Sequence, residues 1–239
     1  MQNVFSKTFD LRTSDFDKNK RLLPSAVLDL FQVVAGEHAS ALGCGIDELQ
    51  KSDLIWVLIR TKYQVLKQPL MFSSVVVKTW PLPPSRAGFQ REYLMENEAG
   101  EPLIKATSDW VIINLETRKI TPAKNIYPDG FAFFETKNFE CRISKLPDFE
   151  ASSGGINITP LYSQLDMNGH VNNTKYANYS VDALNPNEEE IVDFQIDYRH
   201  EVKCGERLNV FCLCEDEKAL VKGVGDDGQI KFITQMVIK

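Results

Sequence analysis

Two short polar segments, Asp17-Lys-Asn-Lys-Arg21 and Asp166-Met-Asn-Gly-His170, lie 149 residues apart in the sequence. Each stands immediately before a segment with the apolar spacing of an amphipathic helix, and each helix segment is followed by several segments in which apolar and polar residues alternate. A match of the form Asp-X-Asn-X can arise by chance. Its position at the same junction in both halves makes duplication of one helix-and-strand unit the better explanation.

The two halves predict the same order of elements. In the first half, Pro24 and Gly43 bound a predicted helix at residues 24–42, because proline suits the first turn of a helix and glycine follows its last turn. Alternation of apolar and polar residues predicts the strands of both halves, and apolar spacing predicts the second helix. The first half then has strands at residues 55–66, 73–80, 88–96 and 103–114, and the second half has a strand at 156–165, a helix at 172–184 and strands at 191–201, 207–215, 219–224 and 229–238.

One long helix packed on an antiparallel sheet, twice over, predicts an α+β protein of two tandem hotdog units. Their sheets would pair edge to edge, because that pairing removes two exposed edges. Residues 135–156 lack sustained periodicity and contain Pro147 and the run Ser152-Ser-Gly-Gly155, which is typical of a linker. We therefore expect an N-terminal unit at residues 1–134, a linker at 135–156 and a C-terminal unit at 157–239.

Composition argues against several classes of protein. The 239 residues are 43% hydrophobic and 25% charged, as in ordinary globular proteins and unlike disordered chains. A net charge of −6 argues against binding to duplex nucleic acid, which requires a basic face. No apolar run is long enough to span a membrane, and the first residues lack a targeting pattern, so we expect a cytoplasmic protein without membrane insertion.

Metal and disulfide chemistry have little support in the sequence. The five cysteines include no Cys-X-X-Cys pair, and the three histidines lack metal-binding spacing, so we expect reduced thiols and no metal. Cys212 and Cys214 would share one face of a strand, where packing is their simplest role. We interpret His38 as a helix histidine without a function.

The densest group of chemically active side chains lies in the segment Leu165-Asp-Met-Asn-Gly-His-Val-Asn-Asn-Thr-Lys-Tyr176. Asn172 or Asn173 can cap the following helix, and the positive end of the helix dipole is a suitable place for an oxyanion. A simpler explanation is a polar turn with a solvated histidine, because Asp, Asn and Gly are turn formers. The residue types alone leave both explanations open.

The same segment resembles the Leu-Asp-Met-Asn-X-His-Val-Asn-Asn-X-X-Tyr signature of the acyl-acyl-carrier-protein (acyl-ACP) thioesterases. Further matches follow in that family's order and cover nearly the whole chain: Val77-Lys-Thr-Trp80, Ala106-Thr-Ser-Asp-Trp110, Asn114-Leu-Glu-Thr-Arg118, and Tyr198-Arg-His-Glu201 followed by Cys204-Gly205. Because the sequence begins without a plastid transit peptide, we expect the bacterial branch of the family.

The resemblance implies a double-hotdog fold, no metal or dissociable cofactor, and hydrolysis of the thioester between a fatty acyl chain and the phosphopantetheine arm of ACP. The family's acid, amide, imidazole and downstream glutamate fall on Asp166, Asn168, His170 and Glu201. In the plant enzymes a cysteine follows that glutamate and was proposed as a nucleophile, whereas this chain has Val202. Cys204 would lie on the opposite strand face from Glu201. We therefore expect attack by water, with Glu201 or Asp166 as the base.

The first half is expected to bind substrate without reacting. Arg21 stands where the second half has His170, and a guanidinium cannot lose its proton near neutral pH, so one active site per chain is predicted. The predicted substrate-binding residues are Leu28, Val33, Trp56, Leu58 and Phe89 in the first half and Asn172 and Asn173 in the second. The simpler role for such an apolar stripe is core packing.

Charge is divided unevenly along the chain. Residues 1–130 carry +1 (16 basic, 15 acidic) and residues 131–239 carry −7 (11 basic, 18 acidic). An acidic carrier protein would require a local basic patch on this acidic chain. The candidates are Lys62, Lys67, Arg86 and Arg91 in the first half, with Arg199 and Lys203 beside Glu201. The sequence leaves a homodimer open.

Three other functions share parts of this pattern. An acyl-CoA or aryl-CoA hotdog thioesterase would use the same chemistry on another carrier. A hydroxyacyl-ACP dehydratase of similar fold would require a His-Phe-Pro loop, which the sequence lacks. A non-catalytic acyl-binding module would not require the intact set of an acid, an amide, an imidazole and a second acid. The sequence does not give the preferred acyl chain length.

Overall fold

The computed structural model describes residues 3–86, 88–122, 126–150 and 155–239. Its helices are α1 (Pro24–Ala41), α2 (Ile46–Gln50) and α3 (Lys175–Leu184), with short 3₁₀-helices at Thr13–Asp15 and Tyr162–Gln164. Its strands are β1 (Phe5–Asp10), β2 (Leu54–Val65), β3 (Ser74–Pro81), β4 (Phe89–Asn97), β5 (Pro102–Asn114), β6 (Ile120–Thr121), β7 (Ile156–Ile158), β8 (Ile191–Tyr198), β9 (Leu208–Glu215), β10 (Lys218–Gly225) and β11 (Ile230–Ile238). Within the described ranges, no helix has both the length and the apolar character needed to cross a membrane.

The strands form one continuous antiparallel sheet. Its eleven strands follow the order β1-β3-β4-β5-β2-β8-β11-β10-β9-β7, with β6 paired to β5. The central pair is β2 and β8, one from each half, in a register that places Tyr63 opposite Phe194. Each half therefore covers an edge strand of the other, as the sequence predicted.

Both long helices pack on the same face of this sheet. One core cluster contains Phe31 of α1, Tyr176 of α3 and the inward residues Tyr63 and Phe194 of the central strands. The rings of Tyr63 and Phe194 stack with their centroids 5.2 Å apart, across the junction between the halves. Helix α1 begins with proline in the first turn and is followed by Gly43 at φ 72°, a conformation that ends helices and that glycine adopts without strain. The α+β class predicted from the sequence is confirmed.

Residues 135–150, which we call the strap, lie on the opposite face of the sheet. They contain no helix or strand, yet they are bonded along their length. On the first half, the strap bonds to β4 and β5 through Asn138, to β5 through Arg142 and to β2 through Ile143. On the second half, it bonds to β8 through Ser144 and Leu146 and to β10 through Asp148. The strap thus crosses the β2–β8 junction and fastens both halves.

Three predicted element boundaries were wrong. The strand predicted at residues 156–165 is only β7, because a 3₁₀ turn follows at Tyr162–Gln164. The second helix begins at residue 175 rather than 172, because Asn172 is held in a turn by bonds to Thr174. The strand predicted at residues 191–201 ends at Tyr198.

The early end of β8 has a local cause. The N–H groups of Arg199 and His200 both donate to the Lys231 carbonyl, at 2.8 and 3.1 Å. Two consecutive residues sharing one acceptor break the regular alternation of the strand. The strand-face argument that placed Cys204 opposite Glu201 was therefore wrong, because neither residue lies in the strand.

Candidate active site

The two polar segments found in the sequence form loops of the same backbone conformation, the first loop (residues 12–22) and the second loop (residues 161–171). Each contains a 3₁₀ turn and is closed by an isolated bridge, Phe16 to Leu22 in the first loop and Leu165 to Val171 in the second. Each also has one residue in the left-handed region, Lys20 at φ 61° and Gly169 at φ 78°. All these features recur at the offset of 149 residues seen in the sequence.

Asp166 is the central acceptor of the second loop. Its Oδ1 accepts the backbone N–H groups of Asn168 (2.8 Å) and His170 (3.2 Å). In the first loop, the Oδ1 of Asp17 accepts the corresponding N–H groups of residues 19 and 21, at 2.8 and 2.9 Å. Because the first loop makes these bonds without a histidine, the bonds belong to the architecture of the loop. In the second loop they fix the backbone that carries His170.

Glu201 lies between two nitrogen-bearing side chains, one from each half of the protein. Its Oε2 is 3.4 Å from the Nε2 of His170. The Nη2 of Arg118 donates to both carboxylate oxygens, at 2.9 and 2.8 Å. The side chains of His170 and Glu201 are 23% and 45% exposed, so water can reach the pair. The site therefore combines an imidazole and a carboxylate from the second half with a guanidinium from the first.

Backbone contacts bring these three residues together. The second loop pairs with the segment after β8, through a bridge between His170 and Lys203 and a 2.8 Å bond from the Val171 N–H to the Val202 carbonyl. Arg118 ends the turn after β5, at φ 56°, and its N–H donates to the Asn114 carbonyl at 2.8 Å. The left-handed conformation turns the chain so that Arg118 reaches the other half.

The sequence reasoning did not identify Arg118 as a site residue. It lies in the Asn114-Leu-Glu-Thr-Arg118 motif, which was noted only for its resemblance to the family. The signal was a charged residue at the end of a matched motif. Its pairing with Glu201 spans 83 residues, so no local pattern could reveal it.

The amides predicted near the site have different positions. Asn168 is exposed at the tip of the second loop. Asn172 accepts bonds on its Oδ1 from the N–H and hydroxyl of Thr174, both at 3.0 Å, so it shapes the turn before α3. The carbonyl of Asn173 accepts a bond from the Tyr198 hydroxyl at 3.2 Å. Burial raises the pKa of Tyr198, so this phenol stays protonated and can donate.

The first loop uses its amide and guanidinium to join the halves. The Nδ2 of Asn19 donates to the Asn187 carbonyl at 2.5 Å, and Arg21 donates to the carbonyls of Glu188 and Glu189. These acceptors lie between α3 and β8 of the second half. The positions equivalent to Asn168 and His170 therefore have a structural role in the first loop.

Residues of both halves line a narrow apolar cavity of about 20 Å³. The second half lines it with Asn173, Thr174 and Tyr198, and the first half lines it with Leu28, Phe31, Gln32, Leu58, Thr61, Tyr93 and Trp110. A space of this volume holds about one water molecule, so an acyl chain must displace side chains to enter.

The other predicted pocket residues divide into two groups. Trp56 and Phe89 meet edge to face with ring centroids 4.7 Å apart, and Phe89 also lines a separate cavity of about 250 Å³ bounded by Tyr127 and Phe131. Val33 is 40% exposed on the solvent side of α1. The prediction of Val33 as an acyl-pocket residue was therefore wrong, because the period of the helix turns it away from the sheet.

Three of the six predicted carrier-docking cations are buried or only partly exposed. Arg91 is 7% exposed and bonds to His38 at 3.1 Å, so its assignment as a docking residue was wrong. Arg199, with a side chain 19% exposed, donates to the Leu146 carbonyl of the strap at 2.6 Å, and its docking assignment was also wrong. Lys62 is paired with Asp193 at 3.1 Å, with its side chain 23% exposed. The exposed candidates are Lys67, Arg86 and Lys203.

The cysteines do not assemble a nucleophilic site. Burial raises the pKa of Cys44 to about 11 and that of Cys212 to about 12, so these thiols are protonated near neutral pH. Cys212 and Cys214 share a strand side with their sulfur atoms 3.5 Å apart. Cys204 is exposed in the loop after Glu201. Among the described residues, no group of three or more His, Cys, Asp or Glu side chains could hold a metal ion.

Solved structures with this fold include acyl-ACP thioesterases. An acyl-ACP thioesterase from Bacteroides thetaiotaomicron has a TM-score of 0.86 and 25% identity, over 99% of this chain and 98% of that one. A 12:0-ACP thioesterase from Umbellularia californica has a TM-score of 0.85 and 24% identity, over 100% and 98% of the two chains. The fold is thus the α+β hotdog fold of these thioesterases.

Family models agree with the structural likeness. The N-terminal domain of acyl-ACP thioesterases matches residues 2–129, and the C-terminal domain matches residues 150–234. The chain belongs to the acyl-ACP thioesterase family, which confirms the resemblance noted in the sequence.

Curated relatives come from plants. A chloroplastic oleoyl-ACP thioesterase of Coriandrum sativum is 26% identical, over 97% of this chain and 69% of that protein. A chloroplastic acyl-[acyl-carrier-protein] hydrolase of Cuphea viscosissima is 29% identical, over 84% of this chain and 52% of that protein. The chain therefore spans about half to two thirds of the length of these two relatives.

Proposed function

We propose that the protein hydrolyses the thioester of fatty acyl-ACP and releases a free fatty acid and the carrier thiol. The observation that carries this proposal is the meeting of His170, Glu201 and Arg118, with Asn173, three residues after His170, in the wall of an apolar cavity that the first half also lines. A thioester carbonyl is electrophilic and a thiolate is a good leaving group, so a base, an acid and one oxyanion donor suffice. The intact acid and imidazole distinguish this site from a purely acyl-binding module.

Glu201 is the general base in this mechanism. Its carboxylate accepts a proton from water as the water oxygen bonds to the thioester carbon. Arg118 holds the carboxylate in place, and Asp166 organises the loop that carries His170. We favour Glu201 over Asp166 as the base, because the same bonds around Asp17 occur in a loop that has no histidine.

The second step breaks the bond between carbon and sulfur. The proton taken up by Glu201 passes to His170, 3.4 Å away, and from its ring to the departing sulfur. The exposed amide of Asn168 positions the attacking water or donates to the carbonyl oxygen, where it stabilises the oxyanion. Water is consumed, the C–S bond is replaced by a C–O bond, and the enzyme returns to its starting protonation state.

The two halves have complementary roles in this proposal. We propose a double hotdog in which residues 1–134 provide the acyl pocket, residues 135–156 link the units and residues 157–239 provide the second loop and Glu201. Leu28 and Leu58 line the proposed acyl path next to Asn173. Residues 151–154 of the linker lie outside the described residues.

The decisive experiment incubates the purified protein with acyl-ACPs of several chain lengths and with the matching acyl-CoAs. We expect free fatty acid release with a higher kcat/KM on acyl-ACP than on acyl-CoA. Glu201→Gln should lower kcat about 100-fold or more, whereas Glu116→Gln, an exposed glutamate two residues from Arg118, should change it less than twofold. Preference for acyl-CoA would move the protein to the alternative thioesterase class, and no release from either substrate would refute the function.

A further inference from the structure

The second loop exposes three large apolar side chains beside the proposed catalytic residues. Leu161 is 66% exposed, Tyr162 is 86% exposed and Met167 is 74% exposed. Single exposed apolar residues are common on protein surfaces. Three of them within seven residues, in the loop that holds Asp166 and His170, form a local feature that requires a cause.

The first loop shows that folding of the loop does not require these side chains. The first loop has Arg12, Thr13 and Lys18 at the positions equivalent to Leu161, Tyr162 and Met167. All three positions are exposed in both loops. The two loops also share their 3₁₀ turn, their closing bridge and their Asp-centred bonds. The side chains at these three positions are therefore polar in the first loop, where no reaction is expected, and apolar in the second loop, where the site lies.

We propose that Leu161, Tyr162 and Met167 form a docking surface for the acidic carrier protein that delivers the thioester. This inference rests on the proposed function, because it names where the carrier contacts the enzyme. The thioester must reach His170 and Glu201, so the protein that carries it must lie against the rim of that site, which the second loop forms.

Charge at the rim suits an acidic occupant. Lys203 is exposed and its backbone pairs with His170, so this lysine lies next to the second loop. The Arg118 side chain, 54% exposed, adds a guanidinium on the other side of Glu201. Apolar side chains next to cations form a suitable surface for an acidic partner, because the cations steer the encounter and apolar contact slows dissociation.

A second copy of this chain is a poorer occupant. Three side chains provide roughly 200 Å² each at most. That total falls short of the ~800 Å² that each partner buries in a typical stable complex. A transient enzyme–carrier encounter requires less area, because the bound acyl chain supplies further contact inside the enzyme.

The test uses a neutral variant, Leu161→Gln/Tyr162→Thr/Met167→Gln, which removes the apolar surface without adding charge. The matched control is Leu70→Gln/Phe72→Asn. These two residues are 75% and 72% exposed, and they lie beside the first loop, where the Leu11 N–H bonds to the Ser73 carbonyl. Asparagine is chosen because residue 72 has a φ of 65°, which asparagine tolerates.

Both variants and the wild type are assayed on acyl-ACP and on the same acyl group carried by free pantetheine. We expect the triple variant to raise KM for acyl-ACP about tenfold, with kcat and the hydrolysis of acyl-pantetheine changed less than twofold. The control variant should leave both substrates unaffected. An equal loss on both substrates would mean a distorted loop, and no change on acyl-ACP would mean that the carrier docks elsewhere; either result overturns the proposal.

Two further measurements keep this inference separate from the proposed function. If the wild type cleaves acyl-pantetheine as efficiently as acyl-ACP, the carrier is not the recognised substrate and the proposed function fails with the docking surface. Sedimentation is measured on wild type and triple variant. A wild-type dimer that the triple variant converts to monomer would show that the surface joins two copies of the chain, which also overturns the proposal.

Discussion

The assignment of the general base can be tested by changing the two acids in the same way. In the second loop, one oxygen of Asp166 accepts both backbone bonds, and asparagine offers an equivalent oxygen without the charge. Asp166→Asn should therefore keep the loop and lose only the ability to act as a base. Glu201→Gln likewise keeps the shape of its side chain and removes the base.

The structure sets different magnitudes for these substitutions. Loss of a general base costs about 100-fold or more in kcat, or about 2.7 kcal/mol of barrier. Replacing a charged acceptor by a neutral one at two partly exposed N–H groups costs about 1–2 kcal/mol of folding stability. At about 2–4 °C per kcal/mol for a chain of this size, that is a fall in Tm of about 2–8 °C.

The first loop supplies the control for stability. Asp17→Asn alters the same pair of bonds, so it should lower Tm by a similar amount with kcat unchanged. Glu201→Gln should leave Tm within about 2 °C, because its ion pairs are exposed. The measurements are single-turnover hydrolysis of acyl-ACP and thermal unfolding followed by circular dichroism.

The result that would refute the reasoning is specific. If Asp166→Asn lowers kcat 100-fold or more while its Tm matches that of Asp17→Asn, Asp166 is itself the base and the comparison between loops is misleading. If Glu201→Gln retains more than a tenth of the wild-type kcat, Glu201 is not the base. We expect Asp166→Asn to lose no more than about tenfold.

Three other predictions follow from single contacts. Arg118→Ala should lower kcat about tenfold with KM little changed. Arg118→Lys should recover part of the loss, because lysine restores the charge but not the shape of the donor. Equal activity of both variants would contradict a positioning role. Cys204→Ser should retain most activity in steady-state assays, because attack by water does not use this exposed thiol. A variant that folds but is inactive would support a cysteine nucleophile instead. Asn138→Ala should lower the free energy of unfolding by about 1–3 kcal/mol in urea, because it removes bonds to the carbonyls of Tyr93 and Ala106. An unchanged urea midpoint would mean that the strap is only loosely attached.

The features predicted successfully from the sequence are those encoded over short distances. The period of α1 and the alternation along the strands identified the element types, and the Asp-X-Asn repeat located two matching loops. Edge pairing of the two sheets followed from the cost of leaving sheet edges uncovered. Each of these inferences needed only a window of a few residues or a general rule.

The errors came from contacts between distant segments. The exposure of Arg199 could not be read from its neighbours, because the strap that covers it starts more than fifty residues earlier. The burial of Arg91 depends on α1, which supplies His38. The end of β8 depends on Lys231 of the adjacent strand. Alternation predicts which side of a strand a residue occupies, but not what covers that side.

The group around Glu201 contains residues from both halves. In the first loop, Asn19 and Arg21 bind backbone carbonyls of the second half, so this loop helps to fix how the halves meet. That joint places Arg118 of the first half against Glu201 of the second. Each copy has thus kept the loop backbone and changed what the loop binds. Under the proposed function, the first loop therefore helps to stabilise the junction at which Arg118 meets Glu201.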